Sequence, residues 1–384
     1  MNRTAGIYIH IPFCERKCTY CNFNTTDFFS ELADRYCQAV AQEVRYWGEK
    51  EAARAGNRIF VDTIFFGGGT PSIVEAEQLG AILQVCRDAF QVAGDAEITI
   101  EINPATISQA KMAGWRRAGI NRVSVGVQSF LDAELVSLSR THSSNQARRT
   151  VEALREAGFD NLSLDLIAGL PGQSRQDWQF NLTEALSLQP EHLSLYLLEI
   201  KEGTQLFMQV KRGLRPSPDD DLTAEMYEMI CRATREAGFE QYEISNFAKK
   251  KSLRSQHNMK YWTGAPFYGI GGGAHAYDGR SRRVNTLKTE SYIEQIAAQG
   301  HAIREQHELS DGERAAEAIF MGLRLIEGIN LAAFKSDYGV DIFGQYGTEL
   351  EEQIEAGLVE IEDGRLKLTD RGRLLSNEVF MIFV

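Results

Sequence analysis

The stretch IYIHIPFCERKCTYCNF, residues 7–23, decides how the rest of the chain reads. It opens with Ile7-Tyr8-Ile9-His10-Ile11, the period-two alternation of a short strand. Pro12 ends the ladder, because it has no N–H to donate. A loop then delivers three thiols, Cys14, Cys18 and Cys21, spaced C-x3-C-x2-C. Soft thiolates this close together suit iron–sulfur chemistry or zinc and add little to packing. A cubane of four irons normally takes four cysteines, so three leave one iron open to an outside ligand. Three readings stand at this point. The cysteines are small buried hydrophobes, although Glu15, Arg16 and Lys17 between them mark an exposed loop. Alternatively they form a zinc site with His10 as the fourth ligand, which requires His10 to swing back toward the loop. In the third reading they hold a cluster with one free corner.

Beyond this stretch, apolar runs of strand length alternate with segments of helical period. The runs are 59–66 (IFVDTIFF), 98–102 (ITIEI), 123–127 (VSVGV), 162–167 (LSLDLI) and 193–200 (LSLYLLEI). Helices are expected over 32–50, 75–90, 108–118, 145–157 and 176–188. With 7–11 that makes six β units, the alternation of a parallel sheet with crossover helices. Polar residues fall at or near the C-terminal ends of the runs: Gly67-Gly68-Gly69-Thr70, Glu101, Gln128, Asp165 and Glu199. Functional groups ringed at the carboxyl ends of successive strands are the barrel pattern. A dinucleotide-binding sheet would instead carry G-x-G-x-x-G after its first strand, where this chain has cysteines. The fold class read from this is α/β, a partial (β/α)6 TIM-like barrel.

Pro216-Ser217-Pro218-Asp219-Asp220-Asp221 marks the end of the barrel and caps a helix over 222–237. Ser310-Asp311 reads as the N-cap of a helix reaching 325. Residues 358–361, the turn Asp363-Gly364 and residues 366–368 read as a hairpin. The domain division is therefore a barrel over 1–215, an extension over 216–308, and a small helical, winged-helix-like unit over 309–384. Cys37, Cys86 and Cys231 fall on expected helices and belong to the core.

The 384 residues, 43% hydrophobic and 24% charged, describe an ordinary globular protein with ample core. Formal charge is −12, and an acidic surface argues against unaided binding of nucleic acid or anionic lipid. Six cysteines, three of them clustered, are too few for a disulfide scaffold and point to reduced thiols in a cytosolic or organellar-matrix setting, with the cytoplasm the expected one. MNRTAGIYIHIPF lacks the basic segment and long apolar run of a signal peptide. No stretch approaches about 18 uninterrupted apolar residues, so no membrane span is expected.

Several residues carry candidate chemistry. The glycines of GGGTP let a backbone bend sharply and approach a ligand, or simply make a turn. Glu101, before Asn103-Pro104, is placed to accept from sugar hydroxyls or to sit solvated at a strand end. Gln128 and Asp165 occupy comparable places on later strands.

Taken together, the cysteine motif after YIHIPF, then GGGTP, E-x-NP, GVQSF and DLIAGLPGQ resemble the radical S-adenosylmethionine superfamily. More narrowly they are similar to its HemN-like branch, over residues 7–277. The resemblance implies a [4Fe-4S] cluster on Cys14, Cys18 and Cys21, with S-adenosylmethionine chelating the fourth iron. It implies that Tyr8 and Tyr20 line the cofactor near the cluster. Gly68, Gly69 and Thr70 would meet its methionyl part and Glu101 its ribose, with Gln128, Arg140 and Asp165 completing the pocket. Arg140 enters through the resemblance alone.

The oxygen-independent coproporphyrinogen dehydrogenases of that branch carry a further Cys two residues after the third; this chain has Phe23. It has instead His257-Asn258-Met259-Lys260-Tyr261-Trp262, similar to the H-N-x-x-Y-W signature of the HemW haem chaperones. That resemblance implies haem as cargo, handed to acceptor proteins expected among respiratory components, without dehydrogenase activity. Peripheral association with a membrane is left open, and nucleic acid is not an expected partner. Imidazole suits haem iron, so His257 is a candidate axial ligand, with His275 after the glycine run 271–273 a second. The bland reading of His257 is a polar loop histidine. The competing function is a radical oxidoreductase acting on a porphyrinogen, and the third is a zinc scaffold.

Overall fold

The computed structural model describes residues 4–383; residues 1–3, part of the segment read above for a leader, and residue 384 lie outside the described residues. Six parallel strands, β1 (Ala5–Ile11), β2 (Phe60–Gly68), β3 (Gln91–Ile102), β4 (Arg122–Gln128), β5 (Leu162–Ala168) and β6 (His192–Leu197), lie side by side in chain order. Between them run α1 (Ser30–Ala55), α2 (Ala76–Ala89), α3 (Gln109–Ala118), α4 (Ser144–Glu156) and α5 (Arg175–Ser187). Each strand neighbours the one before it, the winding of a barrel; a doubly wound sheet reverses its order at a switch point. The expected partial barrel is what the chain forms.

Two strand limits differ from the sequence reading by three residues or more. β3 begins at Gln91, because Phe60 and Val61 pair with Gln91 and Val92 before a register shift leads to Thr63 and Glu97. Backbone pairing thus draws the polar run QVAGD into a strand. β6 ends at Leu197 and leaves Glu199 in the following loop.

Period-two alternation explains both faces of the sheet. Ile7, Ile9 and Ile11, Val123, Val125 and Val127, and Leu162, Leu164 and Leu166 are each fully buried. Each such side chain contributes about 1.5–3 kcal/mol through burial. The intervening positions carry Tyr8 and His10, Thr99 and Glu101, Ser163 and Asp165, His192 and Ser194. Parallel sheets covered on both faces are usually apolar on both. A polar inner face therefore encloses something other than core.

The sheet continues past the six strands. β7 (Glu240–Gln241) and β8 (Asn246–Ala248) add antiparallel strands beyond β6. On the other edge β9 (Phe267–Ile270) pairs parallel with β1. β10 (His275–Tyr277), β11 (Ser281–Asn285) and β12 (Ile303–Glu308) extend it antiparallel to twelve strands. Segment 216–308 thus supplies strands to both edges. It also holds α6 (Asp220–Glu236), capped by Asp219, and α7 (Gln256–Trp262), which carries HNMKYW.

Ser310 and Glu313 form a capping box on α8 (Asp311–Gly322), which stops three residues short of the expected end. Val359–Glu362 and Arg365–Leu368 make the expected hairpin, with Asp363 and Gly364 both at positive φ in the turn. They pack in a separate core with Ile319, Leu350 and Phe383. Among the described residues no helix is long and apolar enough to cross a membrane.

Candidate functional site

The loop after β1 folds back so that Phe13 and Cys14 pair with Thr26 and Asp27. Its far end is tied down by Asn24, whose Nδ2 donates to the carbonyls of Gly272 and Leu287 at 3.0 and 2.9 Å. Tyr36 donates to the His10 carbonyl at 2.8 Å and accepts from the Gly272 amide at 2.7 Å. The glycine run before His275 therefore braces the cysteine loop: a Cβ on Gly271 would stand 2.6 Å from the His10 carbonyl oxygen. His275 itself is exposed on β10. His10 does not turn to the thiols. Its Nδ1 meets the Tyr8 hydroxyl at 3.1 Å and its Nε2 the Asn24 carbonyl at 2.9 Å, which removes the fourth ligand of the zinc reading.

Cys14, Cys18 and Cys21 line a cavity of about 350 Å³ at the carboxyl ends of the strands. Tyr20, Gly68, Gly69 and Thr70 line it as well, as do Glu101, Gln128, Arg140 and Asp165. All six cysteines are free thiols; Cys37 and Cys86 are core, and Cys231 is half-buried. Among the described residues no three Cys, His, Asp or Glu side chains stand close enough together to hold a single metal ion. Burial pushes the Cys14 thiol up to about 11 and raises Cys21 as well. Cys14 Sγ lies 3.5 Å from Thr70 Oγ1. Arg140 points Nη1 at Cys18 Sγ, 3.6 Å away, and anchors Nη2 on the Gly126 carbonyl at 2.6 Å.

Opposite charge is held in reserve by two carboxyls. Glu101 accepts the Gly68 amide at 3.1 Å. Burial first, and then the neighbouring Asp165, push it up to about 8. Asp165 is also raised by burial, against donation from Ser124 at 3.0 Å to each oxygen and from Ser163 at 3.2 Å. Carboxyls raised in this way gain from a cation placed between them. Gly68 sits at φ +114°, where a Cβ would meet the His10 ring at 2.5 Å. Gln128 and Ser139, both lining the cavity, hold positive φ of 66° and 59°. Non-glycine residues in that region gather at functional sites.

Tyr8 and His257, like His275, do not line this cavity. Tyr8 stands deeper on β1, its ring against Phe65 at 6.1 Å. His257 lies on a helix rather than in a loop, at 1% exposure. α7 sits across the start of the strands, at the end of the barrel opposite the cysteines. There the amides of Gln256 and His257 donate to Glu97 at 3.1 Å each, and Lys260 pairs with Asp62 at 2.6 Å. The His257 ring stacks on Phe65, with Nδ1 on Thr63 at 2.9 Å and Nε2 on the Tyr261 hydroxyl at 3.0 Å. Burial, with Lys260 and Arg122 adding to it, holds this imidazole down at about 3. Trp262 faces the other way, under the Arg324 guanidinium at 4.5 Å. Ser124 and Tyr196 are cavity residues that sequence reasoning missed. Their signal was present as small or hydroxylated residues at the inner-face positions of VSVGV and LSLYL.

A parallel half-barrel with three thiols at the carboxyl end of its first strand defines the class. The sequence model of the Radical SAM superfamily matches residues 8–182, and that of the HemN C-terminal domain matches residues 309–375. The chain is 38% identical to the protein of Bacillus subtilis named Heme chaperone HemW, covering 98% of both chains. It is 35% identical to the protein of that name in Escherichia coli, over 99% of this chain and 98% of that one. It is 36% identical to the bovine mitochondrial radical S-adenosyl methionine domain-containing protein 1, over 97% of this chain and 85% of the other. The solved structure of E. coli coproporphyrinogen III oxidase, HemN, superposes with a TM-score of 0.87, covering 100% of this chain and 90% of that chain at 23% identity, a likeness of fold. The chain belongs to the HemW family of the radical SAM superfamily.

Proposed function

We propose that the chain holds a [4Fe-4S] cluster on Cys14, Cys18 and Cys21, binds S-adenosylmethionine in the same cavity, and carries haem to acceptor proteins without acting as a coproporphyrinogen dehydrogenase. The observation that carries this reading is the meeting of three thiols and two half-buried carboxyls in one cavity. The donor set fits the cluster: soft ligands on one wall, the Arg140 guanidinium beside Cys18 to offset thiolate charge, and carboxyls beyond for a cationic partner. When bound, the cluster would supply an open iron to chelate S-adenosylmethionine and an electron to pass to it. The chain's own residues do the positioning. Gly68, Gly69 and Thr70 offer backbone and hydroxyl to the methionyl end, and Glu101 accepts from the ribose. Tyr20, Gln128, Arg140 and Asp165 close the pocket, with Tyr8 behind them against Phe65.

Haem as cargo is supported by full-length likeness to proteins named haem chaperones and by Phe23 where the dehydrogenases carry their further cysteine. Acceptors are expected among respiratory proteins, and the setting is the cytoplasm. For His257 to ligate haem iron, its Nε2 must exchange the Tyr261 hydroxyl for the metal; burial already keeps it neutral, the form that ligates. The same reading keeps a barrel over 1–215, an extension over 216–308 and a C-terminal unit over 309–384. Anaerobically prepared protein should contain about four irons and four sulfides per chain, bind haem in a spectral titration, and leave coproporphyrinogen unchanged. Zinc in place of iron overturns the cluster, and decarboxylation of coproporphyrinogen makes the chain an oxidoreductase instead. Unchanged haem affinity in a folded His257→Gln variant removes the ligand assignment.

A further inference from the structure

A buried chain of hydrogen bonds runs from the cavity to the far end of the barrel. Ser163 and Asp165 stand two apart on β5, and their register partners on β6 are His192 and Ser194. Ser163 donates to Asp165 Oδ1 at 3.2 Å and lies 2.8 Å from His192 Nδ1. His192 Nε2 lies 2.8 Å from the Tyr242 hydroxyl, and that oxygen receives the Ser255 amide at 3.3 Å. Ser255 is the N-cap of α7, its side chain accepting from the Asn258 amide. Ser163, His192 and Ser255 are fully buried and Tyr242 is 1% exposed, so bulk water does not compete for these bonds.

We propose that Tyr242 and His192 are positioning residues for Asp165: the Ser255 amide gives this chain a single direction, which presents Asp165 as an ionised acceptor to a cationic ligand. The proposal rests on the reading of the cavity given above. An amide N–H can only donate, so the Tyr242 oxygen must accept there and its one hydrogen goes to His192 Nε2. A neutral imidazole then carries its hydrogen on Nδ1 and gives it to Ser163. Ser163 is left with its own hydrogen for Asp165. Reversing the chain to protonate Asp165 turns the Tyr242 hydrogen toward the Ser255 amide, two donors head to head in a dry interior. His192 is kept neutral by burial and by the nearby Arg122. Facing Asp165 are Glu101, which opposes its ionisation, and Arg122, Ser124 and Ser194, which favour it. The cofactor carboxyl and the first turn of the HNMKYW helix are thereby joined through three side chains, Ser163, His192 and Tyr242, that line neither the thiols nor the cavity.

The test is the tautomer of His192. In cluster-loaded protein labelled with 15N-histidine, its resonance, assigned by loss in His192→Gln, should report Nδ1–H and stay untitrated from about pH 5.5 to 8.5. An Nε2–H tautomer, or titration in that range, overturns the proposal. In Tyr242→Phe the affinity for S-adenosylmethionine should fall about tenfold at pH 7, the equivalent of one pKa unit. The loss should shrink as pH rises and Asp165 ionises unaided; unchanged affinity in the folded variant overturns the proposal too. Should wild-type protein fail to bind S-adenosylmethionine, the cavity reading falls, while the tautomer still decides the direction of the chain.

Discussion

Moving from pH 6 to pH 8 should tighten S-adenosylmethionine binding about fifty-fold, because the carboxyl that meets the ligand is neutral at the lower value. Glu101 is pushed up to about 8, by burial first and by Asp165 second, against the Gly68 amide and Arg122. At pH 6 about one Glu101 in a hundred is ionised, and at pH 8 about half. Ribose hydroxyls donate best to the ionised form, which the ligand's positive charge also favours, so apparent affinity follows that fraction, and the ratio is about fifty. The same coupling predicts that binding at pH 7 expels about 0.9 proton per site. Calorimetry in two buffers of different ionisation enthalpy measures both quantities. Glu101→Gln should bind more weakly at pH 8 and lose most of the pH dependence and the proton release. Equal affinity at pH 6 and 8, with no proton exchanged, refutes the idea that a half-buried neutral acid waits there for a cationic ligand.

The ligand-free protein should lose stability as pH rises from about 4.5 to 8. Over that window folded Glu101 keeps a proton that the unfolded chain has released, so the unfolded state binds fewer protons and unfolding becomes easier. Thermal unfolding across the window checks the sign, and Glu101→Gln should flatten the slope. Gly68→Ala should cost about 2–4 kcal/mol by denaturant titration, since it combines positive φ with a Cβ 2.5 Å from the His10 ring. Because that ring also holds Asn24, the variant should load less iron than wild type.

Much of the architecture was legible along the chain. Ile7, Ile9 and Ile11 alternate with Tyr8 and His10, and the same period recurs on each later strand. A period of two is a local property of extended backbone, so both faces of the sheet follow from it. The three thiols and GGGTP are likewise local, because a loop of a few residues brings its own members together. Glu101, Gln128 and Asp165 could be named because they stand at the strand ends that a barrel gathers. Strand limits at Gln91 and Leu197 were not legible, since partner strands set them.

Tertiary structure alone decided what touches what across long separations. His257 is 194 residues from Thr63, and no local signal says that α7 closes the barrel opposite the cysteines. Its sequence reads as polar and liganding, yet packing gives both ring nitrogens a partner. Glycines 271–273 stand in the sequence only as the run before a candidate haem ligand, and they serve as the seat of the cysteine loop. The pKa of Glu101 depends on Asp165, 64 residues away, and on the exclusion of water, neither of which a carboxylate in a string of letters reveals. Local periodicity determined which side chains face inward; only closure of the sheet determined which of them meet, and so which carry charge.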